Sequence, residues 1–429
     1  MIRKLVQGRV RWTLVAWMFV ISAVAYLDRV NISIAGASLE RDFGLTHQQL
    51  SWVFTAFVVG YAIFQTPGGR LADRFGPRKI IALGTLWWAV FTCLTGLAPA
   101  GIRGALLILL AARFLLGLGE AVIYPACNRI VAAWIPSQER GAANGWIFAG
   151  IGAGAGIAPP LSTFLLLHYG WRWSFGGSAL LGLTTAVVWY LIARDRPGEH
   201  PWMEPAEAEH IRAGLPQKTA ATAAPWRVIF GSRDVMALCG SYFAYGYTAW
   251  IYYTWFFIYL SKVRGMDLKT SSYYGMLPFI AMAVGSTVGG WVSDRLTKSR
   301  GKRVGRCLFT AGAMILSGCF IALAMLADNA QVASVVLAGG AGALFLSQGT
   351  FWSVSADLAG SSAGSVSGLM NMGGQLGGVA TSLLTPVIAA HFGWSASFLM
   401  TTALCFAGAA AWLLVNPAAV LKLPASASR

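Results

Sequence analysis

Twelve windows of about twenty mostly apolar residues recur along the chain, each long enough to cross roughly 30 Å of hydrocarbon at about 1.5 Å per helical residue. They begin near residues 12, 48, 80, 104, 141, 174, 235, 272, 305, 331, 365 and 395. Lipid offers the backbone no hydrogen bonds, so windows of this length predict helices. The fold class expected is therefore an all-α membrane protein with twelve transmembrane helices.

Composition agrees and narrows the function. Of 429 residues, 56% are hydrophobic and 11% charged, against about one quarter charged in a typical soluble domain. A net charge of +16 would suit nucleic acid, but the Lys and Arg residues sit in short clusters between apolar runs. The positive-inside rule explains such clusters, so no nucleic-acid partner is expected. The six cysteines fall inside apolar segments without CxxC spacing or nearby histidines, which predicts buried thiols and no metal site.

The only long polar interruption runs from Arg194 to Arg233 and holds one short helical pattern around Glu204–Glu209. It divides the chain into a first six-helix bundle (1–193), a central loop (194–233) and a second six-helix bundle (234–429). The basic residues before the first window precede an Ala-Val-Ala that mimics a signal-peptide cleavage site. An uncleaved first span is expected instead, because it has a counterpart in the second half. With the N-terminus inside, the inner loops near span ends carry seventeen Lys and Arg and the outer ones six. Both termini are thus expected in the cytoplasm.

The halves repeat one another. His168-Tyr169-Gly170-Trp171 returns as His391-Phe392-Gly393-Trp394, and Gly152, Gly156 and Asp73-Arg74 return as Gly373, Gly377 and Asp294-Arg295. A six-plus-six repeat of one topology predicts two pseudo-symmetric bundles with a substrate cavity between them. That architecture belongs to transporters.

Four charges lie deep in apolar runs: Asp28 and Arg29 in span 1, Arg113 and Glu120 in span 4. Each costs about 2.5–3.5 kcal/mol on insertion scales, so such groups face a partner or a cavity. Arg113, Gly117, Glu120 and Tyr124 form one helical stripe, and Tyr26 shares a face with Arg29 while Asp28 turns away. Two readings remain open. Asp28 can pair with Arg113 and Arg29 with Glu120 merely to fix packing. Alternatively, Arg29 holds an anionic substrate while a carboxylate takes up a proton, with Arg113 tuning it.

The loop after span 2, Gly69-Arg70-Leu71-Ala72-Asp73-Arg74-Phe75-Gly76-Pro77-Arg78-Lys79, resembles the signature loop of the major facilitator superfamily. Gly69 would let two helices approach, Asp73 would cap a neighbouring helix, and Arg74 would pair with a carboxylate across the interface. The resemblance implies a latch on the outward-facing state. Asp294 and Arg295 keep the pair in the second half, without the later glycine spacing.

The Asp-Arg of span 1 with Arg and Glu seven residues apart in span 4 resembles the anion:cation symporter family, which includes sialin and bacterial galactonate, hexuronate and glucarate proton symporters. By that resemblance Arg29 binds the substrate carboxylate beside Tyr26 and Tyr61, and Asp28 and Glu120 carry protons with Arg113 as partner. It also implies contacts from Trp352 in span 10 and from Asn371 or Gln375 in span 11. Where sugar-acid carriers often place a polar contact in span 5, this chain has Ile151 among glycines.

The expectation is a monomeric importer of a small organic anion, a sugar acid or related carboxylate. It would sit in a bacterial inner membrane and use protons as coupling ion and no other cofactor. The alternative is a proton-antiport exporter of a drug or metabolite, for which Gly156-Ile157-Ala158-Pro159-Pro160 is a loose match. A phosphate-ester exchanger would repeat its span 1 arginine in span 7, where Trp250 stands. No catalytic set or nucleotide-binding loop suggests an enzyme.

Overall fold

The computed structural model describes residues 8–215, 224–256, 259–266 and 268–421. Arg3, Lys4, Lys422 and Arg429, which enter the charge count, lie outside them, as do the side chains of Pro159 and Pro160. Among the described residues there are helices and turns and no strands.

In chain order the first half comprises α1 (Val10–Phe43), α2 (His47–Phe75), α3 (Pro77–Leu97), α4 and α5 (Ala105–Ala121 and Ile123–Trp134), α6 (Arg140–Tyr169) and α7 (Trp171–Ile192). Two short helices follow, α8 (Pro205–Gly214) and α9 (Trp226–Gly231). The second half comprises α10 (Arg233–Thr254), α11 (Leu268–Lys302), α12 (Phe309–Ala324), α13 and α14 (Ala330–Leu346 and Gln348–Ala359), α15 (Ala363–Phe392) and α16 (Trp394–Leu414). Each half crosses the membrane six times, because α4 with α5 and α13 with α14 make single passes interrupted at Val122 and Ser347.

Among the described residues, seven helical stretches are long and apolar enough to cross a membrane, and two of them, Tyr273–Ala324 and Ala330–Phe392, run over two passes each, so that nine passes are touched. The other three, α2, α6 and α10, are richer in Gly, Tyr and polar residues. They stand against the partner half or the central cavity, where lipid does not set the composition.

Packing repeats with the sequence. Spans 1 and 5, 2 and 4, and 3 and 6 pair in the first half, and 7 and 11, 8 and 10, and 9 and 12 pair in the second. Between halves, span 5 packs on span 8 and span 2 on span 11, again an exchanged pair. The repeated His-x-Gly-Trp makes one local structure twice: Gly170 (φ 88°) and Gly393 (φ 83°) end a helix in a backbone region that favours glycine. Nδ1 of His168 and of His391 each lies 2.9 Å from the carbonyl four residues earlier.

Small residues set the closest helix approaches. A Cβ on Gly154 would lie 2.0 Å from the Ala23 carbonyl of α1, and one on Gly152 would lie 2.6 Å from the Ala283 methyl of α11. Gly156 has nothing within 4 Å and takes no part in this interface.

The face carrying the start of α1 and the end of α16 is tied together by the central segment. Glu207 of α8 accepts from the backbone N–H groups of Val10 (3.0 Å) and Arg11 (3.1 Å), satisfying orphan donors at the start of α1. Ala224 bridges the halves: Arg70 donates to its carbonyl (2.6 Å) and its N–H donates to Ser362 (2.6 Å).

Candidate functional site

The four intramembrane charges converge, and of the two ion pairs weighed from the sequence, Arg29 with Glu120 forms and Asp28 with Arg113 does not. Arg29 turns from α1 to α4, where its Nε donates to Glu120 Oε1 over 2.5 Å. The Arg29 side chain is 14% exposed and that of Glu120 fully buried. Around the guanidinium stand the rings of Tyr61 (4.2 Å), Tyr26 (4.7 Å) and Phe57 (5.2 Å), so the cation lies in an aromatic box. Tyr26 and Tyr61 were expected beside Arg29. Phe57 was missed, although it lies one turn before Tyr61 on the same face of α2 and stacks on it.

Asp28 does not form an ion pair with Arg113 in this state. Its Oδ2 accepts from the Thr92 hydroxyl of α3 at 2.7 Å, and its Oδ1 is buried without a hydrogen-bond partner. Arg113 rests against the opposite neighbour of Arg29, 5.0 Å from the Phe57 ring, with Nε and Nη1 also unpartnered. Phe57 therefore stands beside both guanidiniums.

Adjoining this cluster is a central cavity between the halves. The first half contributes Tyr26, Tyr61, Tyr124, Phe148 and Ile151 to its lining, and the second contributes Tyr242, Tyr245, Trp250, Tyr253, Phe345, Gln348, Trp352, Asn371 and Gln375. Trp352, Asn371 and Gln375 thus reach the cavity, as expected. Two have partners already: Trp352 Nε1 donates to the Tyr242 hydroxyl (3.1 Å), and Asn371 donates across the interface to Gln65 of α2 (2.9 Å). Gln65 was missed in the sequence. An amide inside an apolar run was its only signal.

At the terminal face each half caps a helix of the other. Asp73 accepts from the N–H groups of Gly364 (3.0 Å) and Ser365 (2.7 Å) and from the Ser365 hydroxyl (2.6 Å), at the start of α15. Asp294 accepts from the N–H groups of Gly141 (2.9 Å) and Ala142 (2.6 Å), at the start of α6. Both use the donors and positive dipole of a helix N-terminus. Gly69 and Gly290 permit the approach: a Cβ there would lie 2.0 Å from the Gly364 carbonyl and 2.2 Å from the Gly141 carbonyl, respectively.

The arginines of the repeated Asp-Arg pairs are not part of this contact. Arg74 and Arg295 are exposed, their guanidiniums over the rings of Phe75 (5.3 Å) and Trp291 (5.1 Å). Helical spacing turns residue i+1 by about 100°, away from the face its aspartate uses. The cations near the aspartates come from elsewhere, Arg129 at 3.6 Å from Asp73 and Arg306 at 2.7 Å from Asp294.

A third closure was not foreseen. Asp357 in α14 is buried, pairs with Arg140 of the other half and accepts from Lys302 at 2.7 Å. Arg140 and Arg306 are 1% and 0% exposed, although as loop cations they read as surface anchors. The acid within the otherwise uncharged stretch from Gln348 to Gly360 was the available signal.

Comparison with known proteins places the chain. The sequence model of the Major Facilitator Superfamily matches residues 18–382. The chain is 34% identical to the "Probable sulfoacetate transporter SauU" of Cupriavidus necator over 94% of its length and 93% of that protein. It is 33% identical to the "Probable galactarate/D-glucarate transporter GudP" of Bacillus subtilis, covering 93% and 89% of the two chains. Among solved structures, it superposes on the proton:xylose symporter XylE with a TM-score of 0.75 at 15% identity, over 94% of this chain and 95% of that one. That likeness concerns the fold alone. With twelve passes in two related bundles and a match across most of its length, the chain belongs to the Major Facilitator Superfamily: it is a multi-pass membrane transporter and not an enzyme.

Proposed function

We propose that the protein is a proton-coupled secondary transporter that imports a small organic anion, a carboxylate, by alternating access. The single observation that carries this reading is the Arg29–Glu120 pair at the edge of the central cavity. In a water-poor site, a guanidinium bound to one carboxylate can exchange it for another of equal charge without leaving either buried charge unpaired. A proton on Glu120 removes its claim on Arg29, and a substrate anion then takes its place. Proton and anion therefore enter together, which is the linkage a symporter requires.

Asp28 is proposed as a second proton carrier, with Arg113 as the cation that responds to its charge. The relatives named as carriers of sulfoacetate and of galactarate or D-glucarate support the anion class. A bacterial inner membrane is part of this reading, and the loop charges support both termini being cytoplasmic. In that orientation the closed terminal face is the inner one, and the Asp73 and Asp294 caps hold it shut. The protein works as a monomer in this reading, with protons as its coupling ion.

The test is uptake into proteoliposomes under an inward proton gradient, with Arg29→Ala beside the parent. Uptake of anions by the parent and none by the variant is expected. Full gradient-driven uptake by Arg29→Ala would end the anion role assigned to Arg29, and uptake driven by sodium at constant pH would end the proton assignment.

A further inference from the structure

None of the described residues lining the central cavity is a Lys, Arg, His, Asp or Glu. Arg29 reaches it only past Tyr26 and Tyr61, and Arg113 lies beyond Phe57. The site thus offers a ligand one cation, at one end.

The remaining wall is aromatic and continuous across the two halves. Tyr124 stacks on Phe148 (5.2 Å between centroids, 15° between planes), Phe148 meets Trp352 (5.0 Å), Trp352 meets Tyr242 (6.4 Å), and Tyr242 stacks on Tyr245 (5.0 Å, 8°). Every member lines the cavity. Such an array offers ring faces and edges to a flat ligand.

Much of the polar lining is already engaged. Gln348 and Trp352 share the Tyr242 hydroxyl, Asn371 holds Gln65, and the Tyr124 hydroxyl lies 2.8 Å from that of Ser22. The Tyr245 hydroxyl is buried and not engaged: the residue is 4% exposed, and the hydroxyl has no hydrogen-bond partner.

We infer that the carried anion is an aromatic monocarboxylate, its carboxylate at Arg29 and its ring against the Phe148–Trp352–Tyr242 array. This rests on the reading that Arg29 receives the anion. A second anionic group would be buried with no cation to meet it. A flat ring matches the stacked array over a larger area than a puckered or extended polyol does. One hydroxyl has a waiting partner in Tyr245, and a site built to bond a hydroxyl discriminates against the ligand that lacks it.

The experiment measures dissociation constants on the full-length protein in lipid nanodiscs at acidic pH, with benzoate, its three monohydroxy isomers, galactonate and glucarate as probes. Benzoate and the isomers should bind, and one isomer should exceed benzoate by about tenfold. Tyr245→Phe should erase that excess, and Phe148→Leu should weaken all four aromatic acids more than it weakens galactonate or glucarate. Tighter binding of galactonate or glucarate than of every aromatic acid overturns the inference while leaving the anion reading intact. Binding of all six probes unaffected by Arg29→Ala, or no binding of any, overturns both.

Discussion

Arg29 and Glu120 hold each other across spans 1 and 4, while Asp28, the immediate neighbour of Arg29, is bound to Thr92 of span 3. Adjacent charges on one helix therefore report to different helices. A change of protonation at either carboxylate alters how span 1 is held, without the two sites sharing a hydrogen bond.

Glu120→Gln removes the charge that competes for Arg29 but keeps the side-chain volume. Anion exchange at zero gradient should persist, with substrate affinity equal to or above the parent's. Accumulation against a gradient should fall to background, because no proton is then linked to the carried charge. Counterflow and gradient-driven uptake, measured in the same vesicles, separate the two. Equal loss of both would remove Glu120 from coupling and make it a packing residue.

Arg29→Lys should not rescue function. The guanidinium lies against three rings and donates through Nε to Glu120, a geometry a compact ammonium cannot reproduce. Loss of a charge-assisted bond and of the ring contacts predicts an affinity drop of roughly tenfold to a hundredfold. A lysine variant with parental affinity would show that charge alone suffices.

How far the sequence foretold this arrangement depended on which physical rule was available. Span length and charge bias are one-dimensional properties, so the passes could be read directly, and the repeat made the two bundles legible before any contact was known. Asp73 as a helix cap was also legible, because a carboxylate in an otherwise basic loop has few other uses. Partners were harder. Helical angles give the direction of Asp28 relative to Arg29 but not which neighbour occupies that direction, and Thr92 is unremarkable in sequence. Loop cations raised the same difficulty: Arg140 and Arg306 satisfied the charge bias, and nothing local to them marks burial against Asp357 and Asp294.

The two aspartate caps are related by the repeat and face opposite halves, so they should act alike. Asp73→Asn and Asp294→Asn each replace a full charge by an amide whose NH₂ cannot accept from the helix N-terminus. Each should cost the closed face about 1–3 kcal/mol. Spin labels at positions 74 and 295 in a cysteine-free background, both exposed in this state, would read the separation of the halves. Either variant should populate a longer distance and the double variant more so. An unchanged distance distribution in the double variant would mean that the caps do not hold the face shut.

Glycine substitutions test the same closure by sterics. Gly69→Ala places a methyl carbon 2.0 Å from the Gly364 carbonyl, far inside contact distance, and Gly290→Ala places one 2.2 Å from the Gly141 carbonyl. Both should fold yet fail to close the terminal face, with transport lost in each. Gly156→Ala is the control: it meets nothing within 4 Å, so transport should survive and stability should rise slightly from helix propensity. Parental transport by Gly69→Ala would show that α2 and α15 do not need this approach.

Arg140 and Asp357 form the buried inter-half pair, at 1% and 2% side-chain exposure, and Arg140 also donates to the carbonyls of Ala132 (2.7 Å) and Ile135 (3.1 Å). Removing Asp357 leaves the buried Arg140 charge without a counter-ion, whereas removing Arg140 leaves Asp357 its bond from Lys302. Asp357→Asn should therefore lower stability by about 3–5 kcal/mol, more than Arg140→Met. The double variant should be less destabilised than the sum of the singles, the mark of a direct interaction. Burial also predicts that 1 M salt moves the coupling little, since screening acts chiefly on exposed charges. Thermal unfolding of the four proteins at low and high salt checks both points. Strict additivity of the single effects, or a coupling that vanishes in salt, would assign the closure to the aspartate caps and the glycine contacts alone.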